Sequence, residues 1–167
     1  MSDAIVLLEE RKELTTFLLD EGTITETIVV SATGETEGYA YSAPIKPYDF
    51  VELSTKSEVG KIAVKKITSS TTAPIFGMLV NEPKVKGTEM REGGILVLGH
   101  ILRFKLASGI TNIATGDRLT LSASGVSKST SGEYIAMHPV SNSDTYNYIE
   151  VFKPYEDMGS TGSTGSP

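Results

Sequence analysis

Short runs of β-branched and aromatic residues recur from Thr23 onward, separated by clusters of Gly, Pro, Ser and Thr. The first group of residue types favours extended strands and the second favours turns. About ten strands are predicted, at residues 27–31, 39–43, 50–53, 61–67, 75–80, 95–98, 101–106, 118–121, 134–137 and 148–152. Turn residues between them include Gly93-Gly94 and Ser124-Gly125. The pattern predicts an all-β barrel or sandwich.

The hydrophobic pattern is different before Gly22. Between Ala4 and Asp20, apolar residues recur near one face of a helix and charged residues occupy the other faces. Asp3 suits the N-cap of such a helix, and Gly22 suits its C-terminal stop. The pattern therefore predicts a helix over 4–20. An extended arm is the alternative, because β-branched residues in this segment weaken helical preference.

These patterns divide the chain into three parts. Residues 1–22 are predicted to be an N-terminal arm or helix, and residues 23–155 a single β-rich domain. The whole chain has 167 residues, which is enough for one hydrophobic core. Residues 156–167 are predicted to be a flexible tail, because their Gly, Ser and Thr repeats cannot bury apolar surface.

Composition removes several kinds of site. The chain has no cysteine and two histidines, His100 and His138, so disulfides and thiolate zinc centres are excluded. Each histidine stands alone in an apolar strand pattern, and neither metal nor cofactor is expected. No apolar run approaches the ~20 residues that cross a bilayer, and no membrane contact is expected.

Charge is unevenly distributed along the chain. Residues 1–40 hold nine acidic and two basic residues, a net charge of −7, whereas residues 41–167 hold twelve acidic and thirteen basic residues, a net charge of +1. Phosphate recognition needs clustered Lys and Arg. Nucleic acid is therefore not an expected partner.

Catalytic motifs are also missing from the sequence. No Gly-x-Ser-x-Gly motif occurs, and no phosphate-binding loop template fits the glycine-rich stretches. A pair of carboxylates could serve glycoside hydrolysis if two of them converged in space; the candidates are Asp49, Glu52, Asp117 and Glu133. The tyrosines could form a stacking face for a sugar, although packing is the expected role. The sequence predicts a protein that is not an enzyme.

The run from Ile45 to Phe152 resembles the small capsid decoration (cement) proteins of tailed double-stranded DNA bacteriophages. The stretches that carry the resemblance are 43–53 (APIKPYDFVEL), 75–80 (IFGMLV), 114–121 (ATGDRLTL), 123–126 (ASGV) and 149–152 (IEVF). The resemblance implies a β-tulip or β-barrel-like domain that forms homotrimers. It also implies a non-enzymatic clamp at three-fold positions on the outside of an expanded capsid, made in the host cytoplasm.

The resemblance makes the major capsid protein and other copies of the chain the expected partners. The arm is expected to dock on the shell or on a neighbouring copy, because its apolar stripe must be covered; packing on its own domain is the alternative. The contact residues predicted for it are Leu7, Leu14, Phe17 and Leu18. The alternative function is a tail, fibre or surface module that recognises carbohydrate, which an exposed cluster around Tyr146 and Tyr148 would favour.

Overall fold

The computed structural model of the chain describes residues 15–22, 24–41, 44–81, 90–141 and 147–155, with the backbone alone for 24–30 and 36–41. Twelve strands and no helix occur within these residues, which confirms the all-β prediction. No helix in this part of the chain is long and apolar enough to cross a membrane. The chain forms two compact units, residues 1–97 and 98–167.

Unit 1 is built around a closed five-stranded barrel. The strands of unit 1 are β1 (Thr15–Asp20), β2 (Ile24–Val30), β3 (Thr36–Tyr41), β4 (Phe50–Leu53), β5 (Ala63–Lys66), β6 (Gly77–Leu79) and β7 (Glu92–Val97). The order around the barrel is β1-β5-β4-β6-β7; β1 and β5 are parallel and the other pairs are antiparallel. Strands β2 and β3 form a separate two-stranded sheet.

Successive side chains of each strand point to opposite faces of the sheet, and the set that faces the inside of the barrel is apolar. Phe17 and Phe76 meet edge to face, with ring centroids 5.1 Å apart. Gly93 faces this core, where a Cβ atom would lie 2.6 Å from Leu79 Cδ1, so the close packing requires glycine. The other fully buried apolar residues of the barrel strands are Leu19, Val51, Ala63, Val64, Leu79 and Ile95.

Unit 2 is a five-stranded antiparallel sheet. Its strands are β8 (Gly99–Lys105), β9 (Arg118–Ser122), β10 (Gly125–Lys128), β11 (Tyr134–Ala136) and β12 (Tyr148–Pro154), in the order β10-β9-β11-β12-β8. A parallel bridge between Leu106 and Val126 joins the end of β8 to β10. The core is apolar and consists of Leu106, Ile113, Leu119, Val126, Ala136, Val140, Ile149 and Val151.

The helix predicted over 4–20 is wrong for residues 15–20, which form β1 of the barrel. The physical reason is that Phe17 and Leu19 alternate with outward-facing residues, and the barrel gives each of them a buried place. Residues 4–14 and the tail 156–167 lie outside the described residues. All ten predicted strands overlap observed strands, while β1 and β10 were not predicted.

Candidate functional site

A buried ion pair fixes the end of β1. Arg91 Nε donates a 2.7 Å hydrogen bond to Glu21 Oε2, and a terminal nitrogen of the same guanidinium donates to Glu21 Oε1. The backbone N–H of Ile45 also donates to Oε1, at 2.7 Å. Both charged side chains are buried, so their mutual hydrogen bonds offset the cost of removing them from water. The pair ties the end of β1 to the residues that precede β4 and β7.

A second cluster lies one residue earlier, at Asp20. Lys56 Nζ donates to Asp20 Oδ1 and Ser54 Oγ donates to Oδ2, each at 2.6 Å. Burial raises the pKa of Asp20, but the hydrogen bonds from Lys56, Ser54 and the Gly22 N–H outweigh burial and hold that pKa below its ordinary value. Asp20 is therefore ionised at neutral pH and holds Lys56 beside β1.

An open cleft of about 590 Å³ runs beside the outer face of β1. Thr16, Phe17 and Leu18 line it from β1, although Phe17 is only 6% exposed and packs mainly inside the barrel. The rest of its lining mixes apolar and charged side chains, namely Lys56, Glu58, Lys61, Ile62, Met90 and Glu92, with Gly60. We call this the β1 cleft. A mixture of partly exposed apolar side chains and charged side chains suits contact with another protein chain.

Apolar side chains also cross the outside of the barrel in a row. Strand register pairs Phe50 with Met78 and Met78 with Leu96. The N–H of Ile67, the residue after β5, donates to the Phe50 carbonyl at 3.1 Å and extends the row. Phe50 is 47% exposed and Leu96 37% exposed, whereas their neighbours Val51 and Ile95 are fully buried. We call Ile67, Phe50, Met78 and Leu96 the apolar row; four such residues on adjacent strands form a patch rather than scattered exposure.

Tyr48 precedes β4 and is 74% exposed. Its backbone lies in the left-handed region, with φ at 73°, which is unfavourable for a residue with a large side chain. A 2.7 Å hydrogen bond from its N–H to the Leu79 carbonyl holds it there. The chain thus keeps a strained residue whose side chain is exposed to solvent.

The structure places two of the four predicted contact residues. Leu18 is half-buried and lines the β1 cleft, where a partner could reach it. Phe17 is 6% exposed and packs inside its own barrel. Leu7 and Leu14 lie outside the described residues. Contact of the four with a shell or a neighbour stays a prediction.

The carboxylates considered for hydrolysis each lie beside a lysine. Two are in unit 1, where Lys65 Nζ lies 3.1 Å from Glu52 and Lys66 Nζ lies 2.8 Å from Asp49. The corresponding pairs in unit 2 are Lys128–Asp117 at 2.7 Å and Lys153–Glu133 at 3.2 Å. Each of the four carboxylates therefore has a lysine as its ion-pair partner.

The histidines occupy structural positions in unit 2. His138 is fully buried; its Nε2 accepts a hydrogen bond from the Glu150 N–H at 3.1 Å, and its Nδ1 lies 3.2 Å from the Pro139 carbonyl. His100 meets the Tyr155 ring edge to face, with centroids 5.3 Å apart. In the part of the chain that the structure describes, no three His, Asp or Glu residues are arranged to hold a metal ion.

Two half-buried tyrosine rings of unit 2 contact cations. The Arg103 guanidinium carbon lies 4.6 Å from the centroid of the Tyr148 ring, and Lys153 Nζ lies 5.7 Å from that of Tyr134. Tyr134 also packs edge to face on Phe104. Tyr146 lies outside the described residues. One face of the Tyr148 ring is thus covered by Arg103.

No family model, curated protein or solved structure matches the chain. The resemblance to decoration proteins accordingly depends on the sequence stretches quoted above. The chemistry of the β1 cleft and of the apolar row is the remaining guide to function.

Proposed function

We propose that the chain is a non-enzymatic capsid decoration protein of a tailed double-stranded DNA bacteriophage. It binds the outside of the expanded shell at three-fold positions and reinforces the shell against the pressure of the packaged DNA. Its partners are the major capsid protein and other copies of itself, in a homotrimer. The observation that supports this proposal most is the outer face of the barrel, where Leu18 and the apolar row form contact surfaces on a closed framework.

A clamp needs a body that does not deform when its contacts are loaded. The barrel meets this need because every one of its five strands pairs on both edges. The Glu21–Arg91 pair fixes the end of β1 within this body, so the side chains of Thr16 and Leu18 keep their positions at the β1 cleft. Force applied at the cleft is thereby passed to the whole barrel.

The β1 cleft is the part of this surface that we assign to the shell. Fully burying an exposed leucine side chain contributes about 1.5–3 kcal/mol before ordering costs, and Leu18 is already half-buried, so one cleft gives a smaller gain. Many copies on one shell multiply that gain. The charged rim of the cleft, with Lys56 and Lys61 beside Glu58 and Glu92, selects a partner with a matching arrangement of charge.

Carbohydrate recognition is the alternative function. The feature that would favour it is an exposed tyrosine cluster, and the Tyr148 ring lies against Arg103 instead. Tyr148 is half-buried, and Tyr146 lies outside the described residues.

Binding to shells tests the proposal directly. Shells assembled from the major capsid protein of the genome that encodes this chain would be prepared before and after expansion, then sedimented with the purified chain. We expect saturable binding to expanded shells only, together with a higher temperature of shell rupture. Leu18→Ser should weaken binding, whereas Leu121→Ser, an exposed apolar residue of unit 2, should not.

Two results would contradict the decoration function. One is the absence of the wild-type chain from both shell pellets, and the other is binding that leaves the rupture temperature unchanged. Equal binding by Leu18→Ser and wild type would instead remove the β1 cleft as the shell contact.

A further inference from the structure

Strands β2 and β3 pair with each other and with no other strand among the described residues. Their register sets Ile24 opposite Tyr41 and Ile28 opposite Tyr39. We call residues 24–41 the ribbon. A two-stranded sheet is marginally stable in water by itself and gains stability when it packs on another surface. The ribbon is therefore an element that benefits from a partner.

The ribbon carries charge of one sign. Its acidic residues are Glu26, Glu35 and Glu37, and it contains no lysine or arginine. Its other register positions are rich in Ile, Val, Thr and Tyr, which suit a pleated contact surface. The chemistry that complements the ribbon is an apolar surface with cationic borders.

The apolar row of unit 1 has that chemistry. Phe50 and Leu96 remain 47% and 37% exposed in the folded chain, so the chain's own ribbon leaves them accessible. Lys65 lies on the same face of β5 as Ile67, and Lys66 follows it on the other face; both side chains are 44% exposed. Their partners Glu52 and Asp49 are only 7% and 25% exposed. The lysine of each ion pair is thus more accessible to a neighbour than its carboxylate.

We propose that the ribbon of one copy docks on the apolar row of the next copy. This inference rests on the homotrimer in the proposed function and names the surfaces that build it. Contact between two different surfaces is heterologous, and it closes into a ring when the same contact repeats three times. Docking of two rows face to face is disfavoured because it would bring the exposed lysines of the two copies together.

Three variants of the full chain test this contact. The row variant carries Phe50→Ser and Leu96→Ser, the ribbon variant carries Ile28→Ser and Tyr39→Ser, and the control carries Leu121→Ser in unit 2. Circular dichroism and thermal unfolding would show that each variant is folded. If the ribbon variant unfolds, Glu26→Lys with Glu37→Lys replaces it, because charge reversal leaves the apolar positions intact.

Sedimentation velocity without any shell gives the decisive comparison. Wild type and the control should form a three-chain species, while the row and ribbon variants should each associate at least about tenfold more weakly. A mixture of the two variants should form a two-chain complex, because the ribbon of the row variant can still dock on the intact row of the ribbon variant. Raised salt should weaken wild-type association.

Three results would overturn the inference. They are a wild-type chain that stays monomeric up to roughly 100 µM, a row variant that associates like wild type, and variants that do not complement each other in the mixture. None of these measurements contains a shell. If one of these results is obtained while the chain still binds shells, the contact between the ribbon and the apolar row is excluded and the decoration function is not.

Discussion

Units 1 and 2 differ in the charge that they bury. Unit 1 buries the Glu21–Arg91 pair and leaves the apolar row partly exposed. Among the described residues of unit 2 no Asp, Glu, Lys or Arg is buried, and its charged side chains form exposed ion pairs such as Arg103–Glu150. Places where a protein reverses the usual arrangement are where function is expected. The comparison indicates that contact surfaces belong to unit 1.

The largest expected effect comes from breaking the buried pair of unit 1. Arg91→Met leaves the Glu21 carboxylate buried without its guanidinium partner, so we expect a loss of about 3–5 kcal/mol in the free energy of unfolding. Urea unfolding followed by circular dichroism measures it. Arg103→Met in unit 2 is the matched control, since its pair with Glu150 is exposed and should change stability little. Equal losses in the two variants would contradict the contrast between the units.

A second comparison uses two neighbours on β7. Ile95 is fully buried in the barrel and Leu96 belongs to the apolar row. Ile95→Ala should cost about 2–5 kcal/mol, because it leaves a cavity. Leu96→Ala should cost less than about 1 kcal/mol in dilute protein, because the side chain is partly in water already. A large cost for Leu96→Ala would show that the row supports the fold of its own chain.

The smallest expected effect is a dependence of stability on pH. The pKa of Asp20 is lower in the folded chain than in the unfolded chain, so its contribution is present above about pH 4 and is lost as pH falls through the folded pKa. Asp20→Asn should therefore be less stable than wild type at neutral pH, and the difference should shrink in acid. Urea midpoints at about pH 7, 4 and 2.5 measure this. A difference independent of pH would exclude the ionised carboxylate as its source.

Sequence patterns predicted four of the five strands of unit 2 and six of the seven of unit 1, because β-branched runs between turn residues specify strands locally. Strand β1 was missed because the whole segment 4–20 fits a helical spacing, and the alternation of Phe17 and Leu19 covers only six residues. Gly93-Gly94 was interpreted as a turn but lies inside β7. Glycine is required at position 93 because the Leu79 side chain packs closely against it, and local sequence does not show this tertiary contact.

The contact surfaces were less predictable than the strands. Glu21 and Arg91 are 70 residues apart in sequence, and no local spacing connects them. Phe50 and Leu96 belong to apolar runs of the kind that fill cores, and only the barrel register shows that they face outward. Leu18 was predicted as a contact residue because it lies on the apolar stripe of the predicted helix. It lines the β1 cleft because it alternates along β1 with the buried residues Phe17 and Leu19.

Hydroxyl-radical footprinting of the wild-type chain at low and high concentration tests most directly whether unit 1 holds the contact between copies. Met78 of the apolar row and Phe50 beside it are readily oxidised reporters, and Leu121 and Tyr155 report on unit 2. The account predicts that Met78 and Phe50 become protected as concentration rises, while Leu121 and Tyr155 keep their oxidation rates. Protection confined to Leu121 or Tyr155, with Met78 and Phe50 unchanged, would contradict it.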